Sequence, residues 1–166
     1  MALVDALLPE FDREMSTTRK LLERVPEDRF DWKPHAKSFS LGALATHVAN
    51  LPMWGEMTLA RPEVDVTAGP QLSAYSSRAE LLAAFDRNVA ATRSALAGTI
   101  DAELTVPWRL KRGSETIFSM PRSAVWRSFV VSHLVHHRGQ LSVYLRLLDV
   151  PVPSIYGPSA DEGARR

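Results

Sequence analysis

The stretch Ser132-His-Leu-Val-His-His-Arg-Gly-Gln-Leu141 places three of the chain's five histidines within five positions of a segment that otherwise reads as buried helix. Around it, apolar residues recur at helical spacing from about Arg122–Ser123 to Leu148, and Pro151 and Pro153 then force an extended tail. At about 100° per residue, His137 lies about 40° from His133, and Trp126, Gln140 and Tyr144 fall within a similar arc. With Trp126, Phe129 and Val130 on that side, the face turns into the protein. His136 lies about 60° to the other side of His133 and is less well aimed.

A buried imidazole needs partners for both ring nitrogens, so the cluster implies either a hydrogen-bonded network or a bound cation. The i, i+4 spacing lets two imidazoles close on one metal, as on the zinc-protease helix. Leu134, however, stands where those enzymes carry the general-base glutamate, so a peptidase reading fails.

Three further helices are predicted upstream. The first, Ala2 to Arg24, carries Leu3, Leu7, Phe11, Met15 (or Thr18) and Leu22 on one stripe, with Pro9 bending it. Residues 25–39 have two prolines and no period, and read as a loop anchored by Phe30 and Trp32. Ser40 caps the second helix, Leu41 to Ala60, which Pro52 kinks and in which it frees a carbonyl. His47 on this helix faces inward with Leu44, Leu51 and Trp54. After a loop over 61–76, the third helix runs from Ser77 to Ala97. Leu81, Phe85, Val89 (or Asn88), Thr92 and Leu96 point inward, Ser77 and Glu80 form a capping box, and Gly98 is the stop.

Between Thr105 and Met120 the pattern changes to Val106, Trp108, Leu110, a glycine turn and Ile117-Phe118, which suits a short hairpin. The sum is an all-α four-helix bundle with a small β-hairpin insertion before the last helix, one domain over residues 1–166.

Composition narrows the function. A formal charge of +1 supplies no basic field for a polyphosphate, so no nucleic-acid partner is expected. Cysteine is absent, which excludes disulfides, thiolate ligands and a cysteine nucleophile, and leaves imidazole and oxygen for any metal. Neither a signal peptide nor a run of about 18 apolar residues is visible, so a cytoplasmic protein without a membrane partner is expected.

Three inward histidines from two facing helices, His47, His133 and His137, can supply three legs of a divalent-metal site and leave a position for water or substrate. Asn50, Trp54, His136, Gln140 and Tyr144 are the candidate substrate-binding residues around it, the aromatic ones serving first as packing. His35 reads as a surface residue, Arg109 to Arg112 as a solvated hairpin tip, and Asp161-Glu162 as a surface pair.

The segment from His133 to Leu148, followed by Val-Pro-Val-Pro-Ser-Ile-Tyr-Gly-Pro-Ser-Ala-Asp-Glu162, resembles the C-terminal signature of the DinB/YfiT-like superfamily. Its counterpart is Leu41-Gly-Ala-Leu-Ala-Thr-His47, preceded by Asp31-Trp-Lys-Pro-His35, and the likeness spans nearly the whole chain. The resemblance implies up-down-down-up connectivity, a homodimer and a divalent ion, commonly nickel or zinc, held by His47, His133 and His137. His136 is not a ligand in that pattern. It also implies a small-molecule thiol and an electrophile as partners in thiol S-transferase chemistry, in stress or detoxification. No carboxylate stands at a fixed offset on the two histidine faces, which ranks hydrolysis lower. A metal-dependent hydrolase or isomerase, or a non-catalytic metal- or small-ligand-binding bundle, is the alternative.

Overall fold

The computed structural model describes residues 2–68 and 74–163; residues 69–73 of the expected 61–76 loop, and residues 1 and 164–166 of the expected domain, lie outside the described residues. The four periodic stretches are helical. They form α1 (Leu3–Leu22), α2 (Leu41–Asn50) with α3 (Met53–Ala60), α4 (Arg78–Ala97), and, after a short α5 (Asp101–Leu104), α6 (Arg122–Val125) leading into α7 (Ser132–Leu147). Helix α1 packs on α4 and α7, and α2 packs on the same two. Phe11, Leu22, Leu44, Val48, Leu81, Phe85, Leu141 and Leu145 are buried between them. Met15 and Thr18, the alternatives for one stripe position, are both buried, whereas Leu3 is exposed.

Pro52 divides the second helix rather than only bending it. It lacks an N–H for the helical ladder, and α2 stops at Asn50. Thr92 on α4 closes the break: its hydroxyl donates to the Pro52 carbonyl (2.6 Å) and accepts from the Glu56 N–H (3.1 Å). This contact brings α3 so close to α4 that a Cβ at Gly55 would lie 2.5 Å from Thr92 Cγ2.

Local caps follow the sequence closely. Ser40 accepts from the Ala43 N–H, and the Phe30 and Trp32 carbonyls accept from the Gly42 and Leu41 N–H groups (both 2.9 Å), so the two aromatics do anchor the loop. Ser77 caps α4, but the reciprocal half of the box shifts by one residue, since Glu80 accepts from the backbone and hydroxyl of Ser76.

The all-α expectation needs correction. The predicted hairpin forms, β2 (Pro107–Arg112) antiparallel to β3 (Glu115–Pro121), with Gly113 at φ 58° in its turn. A third strand, β1 (Glu63–Asp65), joins it in parallel to give the order β1-β2-β3. Three residues are too few to display the alternation that marks a strand. Trp108 and Leu110 bury their inner faces against Met57, Val64 and Val125. The hairpin cations are also not simply solvated: Arg109 and Lys111 pair with Glu63 across the strands, at 2.8 and 3.2 Å.

The last predicted helix contains a π-helical stretch, Trp126–Val131, between α6 and α7. Beyond α7 the tail is tied to the helices. Arg138, 1% exposed, pairs with buried Glu14 of α1 (2.6 Å) and donates to the Glu14 carbonyl, the Thr18 hydroxyl and the Tyr156 hydroxyl, which in turn donates to Glu14. Asp161 and Glu162 form more than a surface pair. Asp161 accepts from the Val152 N–H and pairs with Arg146, and Glu162 accepts from the Ser154 N–H. No helix among the described residues is long and apolar enough to cross a membrane.

Candidate metal centre

Because α2 lies against α7, the inward face of one helix meets that of the other. Leu44, Val48 and Leu51, near His47 in sequence, and Leu134 and Leu141, near His133 and His137, are all buried. The three imidazoles are half-buried, and one ring nitrogen from each falls in a group with all separations within 4.8 Å. His47 Nε2 and His133 Nε2 are 3.3 Å apart. The rings of His47 and His137 meet edge to face at 4.4 Å.

The remaining ring nitrogens set the tautomers. His137 Nδ1 lies 2.7 Å from Gln140 Oε1; facing an acceptor, it carries the proton and leaves Nε2 with a lone pair. His133 Nδ1 is buried and has no partner of full hydrogen-bond geometry. The Phe129 carbonyl, one turn back in the π-helical stretch, lies close enough to favour its proton.

Protonation is disfavoured at all three. Burial, then the neighbouring His137 and His133, push His47 down to about 4. Burial lowers His133, reinforced by His137 and opposed by the Phe129 carbonyl. Burial also lowers His137, against the stabilising Gln140 oxygen. Near neutral pH the group therefore presents uncharged imidazoles, the form that binds metal. Two nitrogens on a tetrahedral zinc-like ion, each about 2.0–2.1 Å from it, lie about 3.3–3.4 Å apart. The His47–His133 separation meets that requirement, so the donor set fits a divalent ion.

On the solvent side a cavity of about 220 Å3 is lined by Lys37, Ser38, Phe39, His137, Gln140 and Tyr144. The Phe39 ring stacks on His47 (6.1 Å, 29°) yet is 53% exposed. Tyr144 donates to the Phe39 carbonyl (3.3 Å) and packs edge-on against Trp32, so the 37–39 rim is fixed to α7.

Of the candidate substrate residues, Gln140 and Tyr144 line this cavity. His136 is exposed beside His137, with ring centroids 4.8 Å apart, and lies outside the group of three. Trp54 stands one ring further back, against Phe129, which packs on His133. Asn50 is not brought to the cavity: it is buried and bonded to the Thr46 carbonyl, the Tyr75 hydroxyl and Asn88. His35 is exposed and its Nδ1 accepts from the Lys37 N–H, shaping the turn. Lys37, Ser38 and Phe39 were not legible as site residues; their one signal is their place between the Trp32 anchor and the Ser40 cap.

Known structures share this architecture. DinB-like proteins from Bacillus subtilis (TM-score 0.73, 17% identity, 92% of this chain and 99% of that one) and Bacillus cereus ATCC 10987 (TM-score 0.69, 21% identity, 92% and 97%) superpose on nearly the whole chain. A protein of the same family type from Exiguobacterium sibiricum 255-15 matches with a TM-score of 0.63 at 20% identity, covering 90% of this chain and 94% of that one. In sequence, the uncharacterized protein YrdA of Bacillus subtilis strain 168 is 24% identical over 162 residues, 98% of this chain and 93% of its own length. The DinB family model matches residues 2–166, and the chain belongs to the DinB family.

Proposed function

We propose that this protein is a divalent-metal-dependent enzyme of the thiol-transfer type, with His47, His133 and His137 as ligands of nickel or zinc. The observation that carries the reading is the convergence of three uncharged imidazoles beside a cavity that is open on one side. His47, His133 and His137 would hold the ion, which would supply the acidification of a substrate thiol at neutral pH that this protein, with no cysteine of its own, would need. Gln140 fixes the His137 tautomer, and Phe39 and Tyr144 wall the substrate position. His136 stands at the rim, Trp54 backs the site through Phe129, and Asn50 serves it only by holding α2 to α4. No carboxylate joins the three histidines among the described residues, which places thiol transfer ahead of hydrolysis.

In this reading the four long helical segments form an up-down-down-up bundle, and the protein works as a cytoplasmic homodimer on a small thiol and an electrophile, without nucleic acid. One observation favours a second reading: at 3.3 Å the His47 and His133 nitrogens can share a proton directly, as in a metal-free bundle. Conjugation of monochlorobimane with a panel of low-molecular-weight thiols, run beside metal analysis, separates the two. His137→Ala is expected to lose metal and conjugation together, and His136→Ala to keep its metal. Full occupancy with no metal-dependent turnover of any thiol rejects the transfer chemistry.

A further inference from the structure

The charge balance of the cavity carries a statement about its ligand. A donor set of three imidazoles brings no negative charge to a divalent ion, and the cavity lining contains no carboxylate. The one ionic group in that lining is Lys37, and its ammonium makes no ion pair among the described residues. Ser38 adds a hydroxyl beside it. The turn that carries them is built rather than loose: the Ser38 N–H donates to the His35 carbonyl (3.0 Å), the Lys37 N–H to His35 Nδ1 (3.1 Å), and Tyr144 holds the next carbonyl.

Positive charges that converge on one small space select for an anion. A single ammonium with a hydroxyl suits a carboxylate; a phosphate is more often met by an arginine fork or a row of backbone N–H groups. The volume sets the size. At about 220 Å3 the cavity is below the range of about 300–1,000 Å3 that encloses drug-sized molecules. Beside it Phe39, whose ring stacks on His47 and which is more than half exposed, offers an apolar contact.

Resting on the thiol-transfer reading, we infer that the site takes a small carboxylate-bearing thiol, its carboxylate against Lys37 and Ser38 and its short apolar chain along Phe39. Lys37 is thus a specificity-determining residue of the rim, and the metal ligands alone do not set the preference.

The test uses full-length protein loaded with cobalt(II) and three thiols of matched length: 3-mercaptopropionate, 3-mercaptopropanol and 3-mercaptopropylamine. Binding is followed by the thiolate-to-cobalt charge-transfer band and by calorimetry. In the native protein the order of affinity is carboxylate, alcohol, amine. Lys37→Gln reduces the carboxylate-over-alcohol preference by about two- to fivefold, the span of an exposed ion pair, and Lys37→Glu reduces it further, while metal content stays unchanged. Phe39→Ala weakens all three thiols by a similar factor. An equal preference in the native protein and Lys37→Glu, or no preference in the native protein, overturns the inference. Absence of the band for every thiol, with Lys37-dependent heat of 3-mercaptopropionate binding retained, removes the thiolate chemistry and leaves the carboxylate site standing. Absence of both band and heat overturns the two together.

Discussion

Replacing Arg138 with Met is expected to destabilise the fold far more than loss of any other ion pair among the described residues. The guanidinium is 1% exposed and makes four contacts: Glu14 Oε2 (2.6 Å), the Glu14 carbonyl (3.1 Å), the Thr18 hydroxyl (3.2 Å) and the Tyr156 hydroxyl (2.6 Å). Methionine fills much of the volume but leaves the Glu14 carboxylate, itself only 6% exposed, with the Tyr156 hydroxyl as its remaining partner. Breaking a buried pair in this one-sided way costs about 3–5 kcal/mol, whereas an exposed pair such as Arg93–Asp12 is worth about 0.2–1 kcal/mol. For a chain of this length the loss corresponds to a fall in Tm of roughly 6–20 °C. Removing both charges together, Glu14→Leu with Arg138→Met, is expected to recover all but about 1–2 kcal/mol, because no buried charge is then unpaired. Urea unfolding of the four proteins of this cycle measures both numbers. A loss below about 1 kcal/mol in Arg138→Met, or a double variant no better than that single one, would refute the reasoning.

Two further outcomes follow from the packing and from the imidazoles. Gly55→Ala is expected to cost about 1–3 kcal/mol, since its Cβ would meet Thr92 Cγ2 at 2.5 Å and separate α3 from α4; an unfolding midpoint equal to that of the native protein would contradict this. His47 is held down to about 4 against a usual value near 6.5, and His133 and His137 are lowered in the same direction, so the unfolded chain binds more protons than the folded one as pH falls below about 6.5. The metal-free protein is therefore expected to lose stability between about pH 6.5 and pH 4. Urea titrations across that window, compared with His47→Gln, measure the share of His47, and an equal pH slope in the two proteins would contradict the assignment.

How far the sequence reached depended on which interaction set each feature. His133, His137, Gln140 and Tyr144 all lie on the uninterrupted α7, so the 3.6-residue period was enough to align them. His47 was legible for the same reason on α2. Trp126 was placed in the same arc, but the π-helical stretch between it and His133 changes the helical phase; it packs on Phe11 of α1 (5.4 Å) rather than with the histidines. Nothing in the apolar pattern marks that stretch. Strand β1 escaped because it exists through its partner: Glu63 pairs with Arg109 and Lys111, 46 and 48 residues away. The role of Arg138 had no local signal, because its partners Glu14 and Tyr156 come from opposite ends of the chain. Phe39 gave no periodic signal at all, since it sits in a loop whose position depends on Trp32 and Tyr144.

The central claim is that His47, His133 and His137 hold one divalent ion. Its most direct test is metal stoichiometry on untagged protein, loaded with cobalt(II) or zinc(II) and dialysed, for the native chain and the alanine variants at positions 47, 133, 136 and 137. The account predicts one ion per chain in the native protein and in His136→Ala, and loss of that ion in each of the other three variants while their helical content is retained. No bound ion in the native protein, or an ion lost from His136→Ala but kept in His137→Ala, would contradict it.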